Sequence, residues 1–304
     1  MHLVKAQAGY DSVTVAITNF MSDFTVETTP AGAAKVRDFR EILRPGATVY
    51  ITFLPGSDYN DTVATAKRLR DEGFQPAPHF PARSMRDKAM VEDYLARVTG
   101  EAGVDHVLTI AGSVDTPLGP YADSMQLLDS GLFDKYGVKR IGVAGHPEGS
   151  PDMSDAAIAE ALAWKLSFAE RSDAAFHIVT QFCFEAQPII EWDRKLRADG
   201  NTFPIRIGVP GIAKLSTLLK YAIACGVGNS LQFLKKKSKD LGKMMSQQAP
   251  DRLVRELALY AATDPNCGID SVHMYPLGGL QKSAEWGYAA RDGRFDLTKD
   301  GFKV

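Results

Sequence analysis

Apolar runs of strand length alternate with helix-length amphipathic segments along most of the chain, and this alternation restricts the possible folds more than any other feature. Strands separated by a helix pair as parallel neighbours, because the crossover must be long enough to bring the chain back alongside itself. Strands are predicted at Phe24 to Thr28, Thr48 to Leu54, Gln75 to His79, His106 to Ala111, Arg140 to Ala144, Phe176 to Phe182, Ile205 to Val209 and Ser271 to Tyr275. Eight such strands favour ring closure, giving an α/β fold of the (β/α)8 or TIM-barrel type. The segments AGAAKVRDFREIL, DTVATAKRLRDEG and SDAAIAEALAWKLSFAER carry apolar residues three or four apart, as an outer ring of helices requires. From about Asn229 to Asp264 the rhythm changes. LQFLKKKSKDLGKMM and APDRLVRELALYAAT read as two or more helices, expected as an insertion over the barrel mouth before the last strand. No low-complexity tract or Pro/Gly/Ser linker divides the chain, so residues 1–304 read as one domain.

Charge and cysteine content narrow the function. Lysine and arginine number 35 against 37 acidic residues, which gives no general electrostatic attraction to nucleic acid or an anionic membrane. Cys183, Cys225 and Cys267 form no CxxC pair, so neither a disulfide framework nor a structural zinc site is indicated. No apolar run reaches membrane-spanning length and the start MHLVKAQAGYDS lacks a signal-peptide layout, so a cytoplasmic protein is expected. Neither GxGxxG nor GxxxxGK[ST] occurs, which removes the two commonest Gly-rich nucleotide turns.

In a barrel of this kind the chemistry sits just beyond the C-terminal ends of the strands. Those ends carry Glu27, Thr52, His79, Gly112-Ser113, His146-Pro147-Glu148, Gln181, Gly208 to Gly211 and Tyr275, a polar ring on an apolar cylinder. Glu27 lies between FTV and TTP, a setting that can raise a carboxyl pKa and suit it to general acid catalysis, though a surface carboxylate in a loop is the plain alternative. His79 and His146 lie on different strands without zinc-ligand spacing, so no metal is assigned to them. IGVPGIAKLS places Gly208 and Gly211 before a helix, where the turn either offers N–H groups to an anion or is simply tight. The basic run from Lys235 to Lys243 reads as a solvated helix face, the alternative being recognition of a polyanionic ligand tail.

Segment after segment, in order, the chain resembles the methylenetetrahydrofolate reductase family. The matching pieces are VETTP with Glu27, VYITF with Thr52, APHF with His79, DHVLTIAG with Gly112, PYAD with Tyr121 and Ala122, GVAGHPEGSP with His146, AWK with Lys165, and IVTQFCF with Gln181. PIRIGVPG, LLKYA around Tyr221 and VHMYPLG extend the similarity over roughly residues 24 to 290. The resemblance implies a (β/α)8 barrel that holds FAD and reduces 5,10-methylenetetrahydrofolate to 5-methyltetrahydrofolate, or runs the reverse oxidation, in the one-carbon metabolism that serves methionine biosynthesis. It implies that Thr52, Phe53, His79, Ala111, Gly112, Ser113, Tyr121, Ala122, His146, Trp164 and Lys165 line FAD, with Lys165 facing its phosphates. Glu27 matches the family's general acid, which protonates the N10 side as the methylene bridge opens. Gln181, Thr217 and Tyr221 fall where the family contacts folate.

Two departures bear on the chemistry. Ala111-Gly112-Ser113 stands where the family has Arg-Gly-Asp, so the aspartate that stabilises a cationic folate intermediate is missing, and Asp115 or Glu148 is the candidate replacement. Gly279 stands where a folate-binding arginine is expected. These departures keep two other readings open: a flavin- or folate-binding protein with lost or slow turnover, and a non-redox barrel transferring methyl groups through folate. The electron donor, a nicotinamide or another, and assembly as a homo-oligomer also stay open.

Overall fold

In a computed structural model the described residues are 12–224 and 246–304, and eight parallel strands close into a barrel. The strands are β1 (Thr25–Thr28), β2 (Thr48–Ile51), β3 (Gln75–Pro81), β4 (His106–Ile110), β5 (Arg140–Gly145), β6 (Ala175–Phe182), β7 (Ile205–Pro210) and β8 (Ile269–Tyr275). They are hydrogen-bonded in the order β1-β8-β7-β6-β5-β4-β3-β2. All eight coincide with predicted strands to within three residues at either end. The strands are buried along nearly their whole length, as expected where helices cover one face and barrel side chains the other. Among the described residues no helix is long and apolar enough to cross a membrane.

Contacts divide the chain into two compact units. One comprises Thr25–Ala144 and Ala159–Val179; the other comprises the segment ending at Phe24, Gly145–Ile158 and Thr180–Val304. In the first, Tyr50, Ala77, Leu108 and Val179 form a buried cluster drawn from β2, β3, β4 and β6. Its helices α1 (Tyr59–Asp71) and α2 (Lys88–Ala102) begin at aspartate caps. The Asp58 carboxylate accepts from Asn60 N at 2.9 Å, and Asp87 from Met90 N at 2.8 Å, which satisfies amides that the first helical turn leaves unpaired.

The helix predicted over AGAAKVRDFREIL does not form as one piece. A four-residue helix, Pro30–Ala33, is followed by a 3-10 turn at Phe39–Glu41. Its carbonyls are taken elsewhere: the Arg68 guanidinium donates to the oxygens of Ala33, Val36 and Arg37 at 2.9, 2.7 and 3.0 Å. Asp38 then holds extended backbone and accepts from Arg40 N, as a cap and not as a helix interior residue.

In the second unit the helix read in APDRLVRELALYAAT spans Asp251–Thr263, and it packs against the helix Ala186–Ala198. The reason is a buried carboxylate. Asp193 is fully buried and accepts from the Tyr260 hydroxyl at 2.7 Å and from Gly268 N at 3.2 Å, with Arg197 Nε 3.7 Å away. Trp286 Nε1 donates to Asp251 at 2.8 Å, fixing the start of the same helix. The other helix expected of the insertion, LQFLKKKSKDLGKMM, and the run Lys235 to Lys243 fall outside the described residues.

Asp193→Ala removes the acceptor for a phenol and an amide and the charge partner of Arg197 at once, and is expected to cost on the order of 3 kcal/mol. Urea denaturation checks this, with Asp193→Asn, which keeps an acceptor for Tyr260, losing less.

Candidate functional site

The residues assigned to a flavin by resemblance belong to the first unit, apart from His146. Glu27 is half-buried near the end of β1, in register with Tyr50 of β2. Thr52 and Phe53 continue β2 beyond its last ladder residue, with Thr52 N donating to Thr28 O at 2.8 Å. The Thr52 hydroxyl oxygen is buried and makes no hydrogen bond among the described residues. Phe53 is buried with its ring tilted against Tyr94 of α2, 6.3 Å between centroids, so its side chain serves packing on the helix layer. His79 lies inside β3, 5% exposed, with its ring edge-on to Tyr50 at 6.1 Å.

Beyond β4, Ala111 and Gly112 are half-buried and Ser113 is exposed, as is Asp115. Arg83 holds this loop: its main-chain N donates to Ala111 O at 2.9 Å, its carbonyl accepts from Leu118 N at 2.9 Å, and its Nε donates to Ala122 O at 2.8 Å. Tyr121 is buried, and burial with the charges of Asp87 and Glu92 pushes its hydroxyl pKa up. Asp123 caps the helix Ser124–Asp129, accepting from Met125 N at 2.8 Å and Gln126 N at 3.0 Å.

Lys165 is the anomaly of this unit. It lies on the helix Asp155–Ala169 beside Trp164, which stacks on Phe168 with centroids 5.0 Å apart. The lysine is 7% exposed and makes no ion pair or hydrogen bond among the described residues. Burial lowers its pKa to about 8, while the charge of Asp123 acts in the opposite direction. An ammonium left this way in protein costs free energy unless an anion joins it.

The folate-assigned residues and His146 belong to the second unit. His146 opens a turn closed by Gly149 N donating to its carbonyl at 3.1 Å. Beside Cys183, Glu148 adds to the effect of burial in raising the thiol pKa. Gln181 is half-buried on β6, and its side-chain oxygen accepts from Phe182 N at 3.1 Å. Thr217 and Tyr221 lie four apart on the helix Leu215–Ala224, one turn separated on the same face, with Tyr221 40% exposed and the opposite face buried through Leu215, Leu218 and Ala222.

The anion reading of Gly208 and Gly211 fails because their N–H groups are already used. Gly208 N donates to the Thr180 hydroxyl at 2.8 Å and Gly211 N to Tyr275 O at 2.7 Å. Gly279 has φ +121°, a region strained for any side chain, so the arginine absent here cannot be restored without moving the backbone. Sequence reasoning passed over Asp123 and a buried trio, Tyr50, His106 and His177. The available signal was polar residues interrupting apolar strand runs.

The sequence model of the methylenetetrahydrofolate reductase family matches residues 33–277. Among solved structures, the chain is similar to an uncharacterized protein from Clostridium thermocellum that binds two copies of 5-methyl-5,6,7,8-tetrahydrofolic acid. That similarity has 12% identity over 91% of this chain and 96% of that one, with TM-score 0.49. It is also similar to dihydropteroate synthase from Thermus thermophilus, at 11% identity over 88% and 94% of the two chains, with TM-score 0.44.

Lys165→Met should stabilise the ligand-free protein at pH 7. With the folded-state pKa below the ordinary value of 10.5, the penalty for the charged amine is full below about pH 8 and gone above about pH 10.5. The gain is about 3 kcal/mol at pH 7 and near zero at pH 10.5. Paired urea denaturations at the two pH values measure it, and a gain independent of pH would show that packing and not charge is responsible.

Proposed function

The chain belongs to the methylenetetrahydrofolate reductase family, and from that premise we propose that it is a flavin-dependent oxidoreductase interconverting 5,10-methylenetetrahydrofolate and 5-methyltetrahydrofolate. The observation that carries the proposal is Lys165. A buried ammonium without an ion pair among the described residues fits a cofactor that brings phosphates, and the pyrophosphate of FAD would supply the anion. The buried, unbonded Thr52 hydroxyl offers a second polar contact of the kind a flavin ring or ribose takes up.

Thr52, Phe53, His79, Ala111, Gly112, Ser113, Tyr121, Ala122, His146, Trp164 and Lys165 are the residues we assign to FAD. The cofactor, when bound, supplies hydride chemistry; the protein supplies position, charge and a proton. Glu27 holds the proton that the N10 side of folate takes up as the methylene bridge opens. Gln181 hydrogen-bonds the pterin, and Thr217 and Tyr221 contact folate, the Tyr221 ring presenting a flat face to an aromatic portion of the substrate. Asp115, exposed, and Glu148, beside Cys183, are the carboxylates available in place of the one absent at Ser113.

The purified protein is expected to carry or take up FAD, and Lys165→Ala to weaken that binding while leaving the isoalloxazine spectrum of the residual complex unchanged. A preparation that stays colourless after incubation with FAD removes the proposal. Glu27→Gln should still bind folate but slow folate-dependent flavin turnover by about 10² to 10⁴, the usual size of a general-acid contribution. Rapid-mixing absorbance at the flavin band separates the half-reactions. Equal slowing of flavin reduction by the electron donor and of the folate half-reaction would show that Glu27 holds the site together and is not the acid.

A further inference from the structure

Three polar side chains, none of them assigned above to cofactor or substrate, meet inside the strands of the first unit, with the FAD-assigned His79 ring edge-on to one of them, Tyr50, at 6.1 Å. Tyr50 on β2, His106 on β4 and His177 on β6 are 0%, 3% and 8% exposed. The Tyr50 hydroxyl lies 3.2 Å from His106 Nε2 and 3.0 Å from His177 Nε2, and the two imidazole nitrogens are 3.3 Å apart. The rings meet steeply, at 79° for Tyr50 and His106 and 66° for the two histidines, so they lie edge-on and do not stack.

We propose that Tyr50, His106 and His177 form a binding site for a single divalent transition-metal ion of the zinc class, which ties three alternate barrel strands together. With metal–donor bonds of roughly 2.0–2.1 Å, neighbouring donors in a tetrahedral site lie about 3.3–3.4 Å apart, and they lie closer when the coordination number rises. Of the three observed edges, 3.3 Å meets the tetrahedral spacing, and 3.2 and 3.0 Å lie below it, toward the spacing of a higher coordination number. A second observation is the neighbouring position on β5: a methyl group at Gly142 would lie 3.1 Å from His177 Nε2 and 2.9 Å from Leu108 Cδ1, so glycine leaves the side of the imidazole nitrogen uncrowded. Among the described residues no three histidine, cysteine or carboxylate side chains gather as a metal site, and this one is completed by a phenol.

Imidazole nitrogen suits zinc, copper and iron, and a phenolate supplies the anionic oxygen that a dication favours. Binding requires each histidine to carry its proton on Nδ1 and present a bare Nε2, and it requires Tyr50 to release its phenolic proton to solvent as the metal–oxygen bond forms. The site lies on alternate strands, β2, β4 and β6, which contribute the side chains of one interior layer in such barrels. A metal here therefore acts on the stability of the barrel.

The test uses the full chain after removal of metal with a chelator, titrated with Zn²⁺ and separately with Co²⁺. The expected result is one equivalent bound per chain, a near-ultraviolet tyrosinate difference band, proton release, and a rise in the melting temperature. Tyr50→Phe, which keeps the ring, should abolish the tyrosinate band, and both it and His177→Gln should weaken binding on the order of 100-fold or more. Absence of binding by the wild-type chain, binding unaltered in both variants, or binding without a tyrosinate signal would each overturn the proposal and leave a hydrogen-bonded trio. Circular dichroism confirms that the variants fold. If neither does, the wild-type tyrosinate band alone decides.

Discussion

Pairing of the strand backbones is the constraint on which everything else in this protein rests. A buried parallel strand has an N–H and a C=O at almost every residue, and each must find a partner away from water. Closing eight strands into a ring leaves no unpaired edge, and consecutive strands can then be neighbours all the way round. Closure also fixes where side chains go, since alternate residues turn inward or toward the helices. Phe53 packing on Tyr94, beside Thr52 with its buried hydroxyl, shows that alternation at the end of one strand.

Within that frame the polar residues divide by how they are satisfied. Asp193 has partners in Tyr260 and Gly268 and works as a fastener between helices and a strand. Arg68 and Arg83 do similar work for loops, gathering carbonyls that no helix uses. Lys165 differs from these, a buried lysine that makes no ion pair or hydrogen bond among the described residues, and that asymmetry is what the proposal of a cofactor site rests on.

The strand count and the helix Tyr59–Asp71 were legible because their signals are local: a run of apolar residues and a 3.6-residue period. Failures came where distant residues decide. Nothing within Ala31 to Leu43 announces that its carbonyls will be claimed by Arg68, more than thirty residues away, so the periodic pattern there reads as a helix that the chain does not make. At Gly208 and Gly211 the sequence left an anion cradle and a plain tight turn open, and the hydrogen bonds to Thr180 and Tyr275 decide for the turn.

The sequence by itself determined the number and order of strands, the family the chain belongs to, and the residue types at each strand end, since all of these are written in local composition and motif order. Tertiary structure alone decided which polar groups are already satisfied and which remain available. Burial and partnership depend on what other parts of the chain bring near. The burial that lowers the Lys165 pKa, and the approach of Tyr50, His106 and His177 to within 3.3 Å of one another, arise only when strands and helices distant in sequence are packed together.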